Sequence, residues 1–196
     1  MVTVPSGRYS VEAATVIPVT ATRDRLLDAF EGLLIAHGPR AATLDAVAAA
    51  AEVSKGGLLY HFASKEAMDA GLLARMETLA QQDLDEMSAA EEGLVAAFLR
   101  TSVMDGSPID RALVAGSKLA QAGSIAAVDA VRRVRELWAD ALRPHTRDET
   151  AVQLVLLVSD GLYFNNALDL GAGAGPVPEG PAMDALIALV ERATMA

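Results

Sequence analysis

The sequence predicts an all-α protein: an N-terminal three-helix domain carrying a helix-turn-helix, followed by a larger helical C-terminal domain. Three observations carry that class. Between Thr43 and Glu66 the run TLDAVAAAAEVSKGGLLYHFASKE reads as two short helical patterns joined by a three-residue turn. Ahead of it, Leu27, Phe30 and Leu34 recur at spacings of three and four. Beyond Ser64 the helical pattern continues almost to the C-terminus, punctuated by Gly106-Ser107-Pro108, Gly123 and Pro144.

Residues 1–20, with several Val, Thr and Pro residues and a single Arg8, read as a flexible extension. One arginine is thin support for an arm in a DNA minor groove. From Arg23 to His37 the apolar stripe predicts a helix that Gly38 and Pro39 end, with His37 complementing the dipole of its last turn. Thr43 is placed to cap the next helix, Asp45 falls in its first turn, and Leu44, Val47, Ala48 and Ala51 form a buried stripe. The small side chains of Ala48 and Ala51 permit a close helix crossing.

The following helix breaks the rules of local propensity. Ser54 is its N-cap, Leu58 and Phe62 fall on one side, and Gly56 and Tyr60 fall opposite. Two glycines inside a helix cost roughly 1 kcal/mol each relative to alanine, so something else must favour them. Either they mark a loop, or the backbone there approaches another surface. Lys55, Tyr60 and His61 surround that outward face with groups able to donate hydrogen bonds to phosphate oxygens. Lys65 follows Ser64, the cap of the next helix, and so stands in a first turn where the dipole disfavours a cation. A phosphate beyond that helix end would reverse the penalty. Together these residues imply contact with DNA through a helix lying in the major groove.

On these residues the segment from about Thr22 to Met76 resembles the DNA-binding domain of the tetracycline-repressor (TetR) family of bacterial transcriptional regulators. The run VAAAAEVSKGGLLYHFASKEAM carries the likeness: a small-residue helix, V-S-K-G at the recognition-helix start, an aromatic-histidine-phenylalanine end and a following S-K-E. The resemblance implies a homodimer with a C-terminal ligand domain. It places Ser54, Lys55, Gly56 and Gly57 nearest the base edges, with Thr43, Tyr60, His61 and Lys65 on phosphates. Three positions depart from the family pattern. Glu52 stands where glycine is frequent and has to adopt a left-handed conformation at roughly 1 kcal/mol. Leu59 replaces a common aromatic and is expected to pack instead of contacting phosphate. Ala63 replaces a frequent proline.

Net charge argues against DNA and has to be met. The chain of 196 residues carries a formal charge of −10, but residues 1–68 hold 6 basic and 7 acidic side chains, so the acidity lies in the remainder. Lys55, Lys65, Arg23, Arg25 and Arg40 can still present a local positive face. With 52% hydrophobic residues and no cysteine, the chain buries its core without disulfides. Neither a run of 18 apolar residues nor a signal-like start is present, which points to a cytoplasmic protein and no membrane partner.

After the helix from Ser64 to about Met87, helices are expected over Glu91–Met104, Ile109–Gln121, Ser124–Leu142, Glu149–Leu170 and Ala182–Thr194, with a flexible loop at 171–180. The domain boundary falls within the long helix, giving a DNA-binding domain at 21–76 and a ligand-binding and dimerisation domain at 77–196. The stretch VQLVLLVSDGLYFNNALDL is apolar around so much of its circumference that it must be covered on several sides, as a helix shared between subunits would be. Its D-G-L element also resembles the family's dimerisation helix. Leu157, Asp160, Gly161, Leu162, Leu186 and Leu189 are therefore expected at a homodimer interface, with an ordinary core glycine as the alternative at Gly161. Phe98, Trp138, Tyr163 and Phe164, with polar Gln121, Asn165 and Asn166 nearby, are the candidates for a pocket holding a small, mostly apolar effector.

No metal site and no cofactor are read from the sequence. His37, His61 and His145 lie far apart, cysteine is absent, and neither a metalloprotease, a serine-hydrolase nor a P-loop pattern occurs. The expectation is thus a ligand-responsive regulator, usually a repressor, binding a palindromic DNA operator as a dimer. The alternatives are a helical ligand-binding or interaction protein without sequence-specific DNA binding, and a small helical enzyme.

Overall fold

A computed structural model describes residues 19–103, 105–167 and 177–195. Among them are nine α-helices, one short 3-10 turn and no strand: α1 (Val19–His37), α2 (Leu44–Ala50), α3 (Lys55–His61), α4 (Lys65–Ser88), α5 (Leu94–Thr101), α6 (Pro108–Gln121), α7 (Ile125–Leu142), α8 (Glu149–Ala167) and α9 (Pro181–Thr194), with the 3-10 turn at Arg143–His145. The helix starts follow local chemistry. Ser64 caps α4 by accepting from Ala67 N at 3.2 Å, and Ser124 caps α7 by accepting from Ala127 N at 3.3 Å. At α6 a capping box joins Ser107 to Asp110, and Pro108 occupies the first turn.

Several boundaries differ from the sequence reading. α1 begins at Val19, so the last two residues of the expected extension are helical. α5 is shorter than Glu91–Met104 because Gly93 takes φ 90° at its start and the Ser102 hydroxyl bonds back to the Phe98 carbonyl at 2.6 Å at its end. Arg8, the rest of the extension, residues 168–170 and most of the 171–180 loop lie outside the described residues.

The core is organised in two clusters that do not follow the expected division at residue 76. The first takes Leu26, Leu27, Phe30 and Leu34 of α1, Val47 and Leu58 of α2 and α3, Met68, Leu72 and Met76 of α4, and continues into Ala112, Ala115 and Leu119 of α6 and Ala127, Ala130 and Val134 of α7. Close approach makes this continuity possible: a Cβ on Gly116 would lie 2.8 Å from Met76 Sδ. The second cluster joins the end of α4 to α5, α8, α9 and the end of α7. Leu137 and Trp138 pack against both. Full burial of a side chain such as Phe30 contributes about 1.5–3 kcal/mol.

One polar feature crosses the first cluster. Glu31 of α1, 3% exposed, receives Arg75 Nη2 of α4 at 2.5 Å and Arg111 Nε of α6 at 2.8 Å. Arg75 also reaches Asp28 at 2.6 Å. A carboxylate this buried is tolerable only when paired, and here its partners tie three helices together.

Candidate nucleic-acid interface and cavity

The two-helix element is set by its turn. Ala51 ends α2, Glu52 adopts φ 55°, and the amides of Glu52 and Val53 close back on the carbonyls of Ala49 and Ala48 at 3.2 and 3.0 Å. This is a Schellman closure built on a left-handed residue, here a glutamate. Arg25 of α1 donates to the Ala51 carbonyl at 2.6 Å and so occupies another free helix-end oxygen. Ser54 then starts α3 by accepting from Gly57 N at 3.1 Å.

α3 is two-faced. Leu58 and Phe62 are 0% and 3% exposed, while Tyr60 is 78% exposed and Ser54, Lys55 and Gly56 also face outward. A Cβ built on Gly56 meets nothing within 4 Å, so no neighbour among the described residues requires a glycine there; on Gly57 it would meet only Ser54 Oγ, at 3.3 Å. Gly71 of α4 is the reverse case. Its missing Cβ would lie 2.8 Å from the Phe62 ring and 3.2 Å from an Arg23 nitrogen. Arg23 in turn sits 5.0 Å over the Phe62 ring, so the buried side of α3 is clamped against α1 and α4.

The other expected phosphate contacts are held in place by the chain itself. Thr43 Oγ1 caps α2, accepting from Ala46 N at 3.2 Å. Lys55 Nζ pairs with Asp45 at 2.9 Å with both side chains largely exposed, a pair that water keeps weak and exchangeable. His61 meets Tyr60 edge-on at 5.2 Å between centroids. Lys65, read from sequence as a cation waiting for an anion, donates to the Pro39 carbonyl at 2.6 Å and so pins the α1–α2 turn to the start of α4. Leu59 corrects an expectation: it is 41% exposed and does not pack away.

A cavity of about 1260 Å³ opens among α4, α5, α6, α7 and α8. Phe98, Gln121, Trp138 and Tyr163 line it, and Phe98 and Trp138 meet edge-to-face at 5.7 Å. Tyr163 Oη donates to the Asp110 carbonyl at 3.2 Å, and its burial near that carboxylate pushes its pKa upward. Asn165 is exposed and does not line the cavity, and the Phe164 and Asn166 side chains lie outside the described residues. The sequence reading missed the α4 contribution and all of α6 but Gln121, among them Asp83, Glu86, Leu113 and Ser117. Helical spacing on α6, where Leu113, Ser117 and Gln121 share a face, was the available signal.

The residues expected at a subunit interface divide. Leu157 and Leu189 are 62% and 56% exposed and Leu186 is half-buried. Leu162 instead belongs to the subunit's own core, and Asp160 and Gly161 line the cavity. Asp160 is paired with Arg135 at 2.7 Å, and Gly161 has open space where a Cβ would stand. Among the described residues no group of three or more His, Asp or Glu side chains gathers as a metal site, and no helix is long and apolar enough to cross a membrane.

Comparison with known proteins gives this geometry its context. No curated protein matches the sequence significantly. In fold, the chain is similar to a transcriptional regulator from Rhodococcus sp. RHA1 (24% identity, 88% of this chain and 97% of that one, TM-score 0.64). It is likewise similar to the multidrug binding protein EbrR complexed with malachite green (20% identity, 85% and 96%, TM-score 0.66) and to SmeT in its triclosan complex (19% identity, 90% and 92%, TM-score 0.65). Residues 26–69 match the model for bacterial regulatory proteins of the tetR family, and residues 92–190, just over half of the chain, match that for the tetracycline-repressor-like C-terminal domain. With the helix-turn-helix at one end and the matched helical domain making up most of the rest, the chain belongs to the TetR family of transcriptional regulators.

Proposed function

We propose that the protein is a cytoplasmic, homodimeric repressor that binds a near-palindromic operator and leaves it when a small, mostly apolar molecule enters the cavity. The observation that carries this reading is the outward face of α3, where bare backbone at Gly56 stands beside Ser54, Lys55 and Tyr60 with no partner among the described residues that explains the glycine. Ser54, Lys55, Gly56 and Gly57 approach base edges, and Thr43, Tyr60, His61 and Lys65 hold the backbone phosphates. Lys55 exchanges Asp45 for a base edge on binding.

Dimerisation uses the apolar residues that α8 and α9 leave outside, Leu154, Leu157 and Leu189, with Leu186 beside them. Two-fold symmetry then sets the α3 helices roughly 34–36 Å apart, one turn of DNA. The complexes of EbrR with malachite green and of SmeT with triclosan support a small organic molecule as the effector. Its message has a short route. Asp110 and Leu113 line the cavity while Arg111, between them on α6, holds Glu31 of α1. A ligand that favours a different position of α6 therefore biases the placement of the reading head. Arg111→Ala should leave operator and effector binding near wild type but weaken the effector's power to release DNA by about 1–2 kcal/mol, read as a shift in the release titration.

Selection of bound duplexes from a random pool tests the reading. An enriched inverted repeat is the expected result. Failure to enrich any sequence at low ionic strength would favour the alternative, a helical ligand-binding protein without operator recognition.

A further inference from the structure

We infer that the cavity takes an organic cation with an aromatic or otherwise apolar body, its charge set against Asp83 and Glu86 of α4 and its body against Phe98, Trp138 and Tyr163. This rests on the reading of the cavity as an effector site and adds the chemistry of what enters it. The argument is one of unspent charge. Five carboxylates reach the lining. Asp160 is neutralised by Arg135 at 2.7 Å. Asp110 accepts the amides of Asp105, Gly106 and Ser107 at 2.9, 3.1 and 3.3 Å, and Asp105 accepts from Ser107 N at 2.9 Å. Asp83, half-buried, and Glu86, exposed at the cavity's edge, lie three residues apart and hence on one face of α4, with neither an ion pair nor a side-chain hydrogen bond among the described residues.

The basic side chains of the lining do not answer them. Arg135 is held by Asp160, and Arg100 by Glu92 and Asp184 at 2.9 and 3.1 Å. Lys118 also lines the cavity and has no ion pair among the described residues, but it is a single cation against the two carboxylates of Asp83 and Glu86, and it lies on α6 eight residues beyond Asp110, roughly 12 Å along the helix axis by its rise per residue. Partial burial, and after it the negative charges of Glu86 and Asp110, push the Asp83 carboxyl up to about 6. Partly shielding a carboxylate from water beside two others costs free energy that, while it stays ionised, a counter-charge recovers most fully. An anion would add repulsion, and a neutral molecule would leave the cost standing. The aromatic rings favour the same class, since their faces attract cations and bury flat apolar groups.

Two ions of equal size and shape and opposite charge decide it: tetraphenylphosphonium and tetraphenylborate, titrated into the full chain and followed by calorimetry and by the emission of Trp138, the only tryptophan. Tetraphenylphosphonium should bind at least tenfold more tightly than tetraphenylborate at pH 7.5. Asp83→Asn should reduce that preference at least tenfold, Glu86→Gln should reduce it less, and Glu91→Gln, exposed and outside the cavity, should leave it unchanged. Equal or tighter binding of the borate, or an Asp83→Asn chain that keeps the full preference, overturns the inference. Displacement of the selected duplex is measured on the same samples. A retained phosphonium preference without displacement would sink the regulatory reading and leave the charge assignment standing, whereas displacement by the borate alone would do the opposite.

Discussion

The outward face of α3 and the lining of the cavity are built in opposite ways. The α3 surface is a local object: a cap, two glycines and a few donors within eight residues, Ser54 to His61, presented by a turn whose closure is itself local. The cavity is assembled from α4 to α8, from residues that span Leu79 to Tyr163 in the chain. What the difference teaches is that a surface meant for a fixed, repetitive partner such as duplex DNA can be written in one segment. A concave site for a small molecule needs walls from several directions, and its specificity resides in what those walls leave unpaired.

The sharpest way to break the comparison is at Gly56. Alanine there meets nothing among the described residues and adds helix propensity, so stability should rise by about 0.5 kcal/mol while operator affinity falls by roughly 10²-fold, about 2.7 kcal/mol. Thermal melts and a binding titration at fixed salt measure the two. An unchanged affinity would mean that α3 does not lie close against DNA. Gly71 should behave inversely. Its new methyl group would press into the buried Phe62 ring, and the cost of overpacking, about 1–3 kcal/mol, should appear in denaturant unfolding of the DNA-free protein.

On the cavity side, Asp83→Asn should stabilise the ligand-free protein by about 1 kcal/mol at neutral pH, a figure that allows for solvent reaching a half-buried group, or some 2–4 °C in Tm. The pH dependence has a definite sign. Because the folded carboxyl titrates near 6 and the unfolded one near 4, the folded chain holds the extra proton between those values, and wild-type stability drops as pH rises through that window. The gain from asparagine should therefore be absent below about pH 4, grow across the window and level off above pH 6. Burial of the Asp83 carboxyl sets the window first, and the neighbouring acids Glu86 and Asp110 widen it.

The smallest effect is expected at Lys65. If its ammonium serves phosphate as well as the Pro39 carbonyl, Lys65→Ala should weaken binding to every duplex alike and lower the salt slope by about one. An unaltered slope would leave it as a tether of the α1–α2 turn alone.

The two regions also differ in how far the sequence exposed them. The capped two-helix element and the buried pair Leu58 and Phe62 were legible because each follows from spacing or cap chemistry within one turn of helix, while the left-handed Glu52 was legible only through the family resemblance, in which glycine is frequent at that position. Phe98, Gln121, Trp138 and Tyr163 were found as individual candidates, but nothing local says that α4 turns Asp83 toward them. Asp160 and Gly161 were read outward because a long apolar helix looks the same whichever neighbour covers it. The Glu31 pairing with Arg75 and Arg111 spans residues 44 and 80 positions apart, beyond the reach of any periodicity. Lys65 was noticed for its misfit with the helix dipole, and its partner turned out to be a carbonyl 26 residues earlier.

The uninterrupted packing from Phe30 through Met76 to Gly116 and Ala130 has a consequence for how the molecule melts. The reading head is no detachable module, for a fragment ending after α4 would turn the Met76 side of that helix to water and lose the Arg111 leg of the Glu31 cluster. In native-state hydrogen exchange the amides of α1, α4 and α6 should open together as a single cooperative unit, with α9, packed in the other cluster, free to open before them.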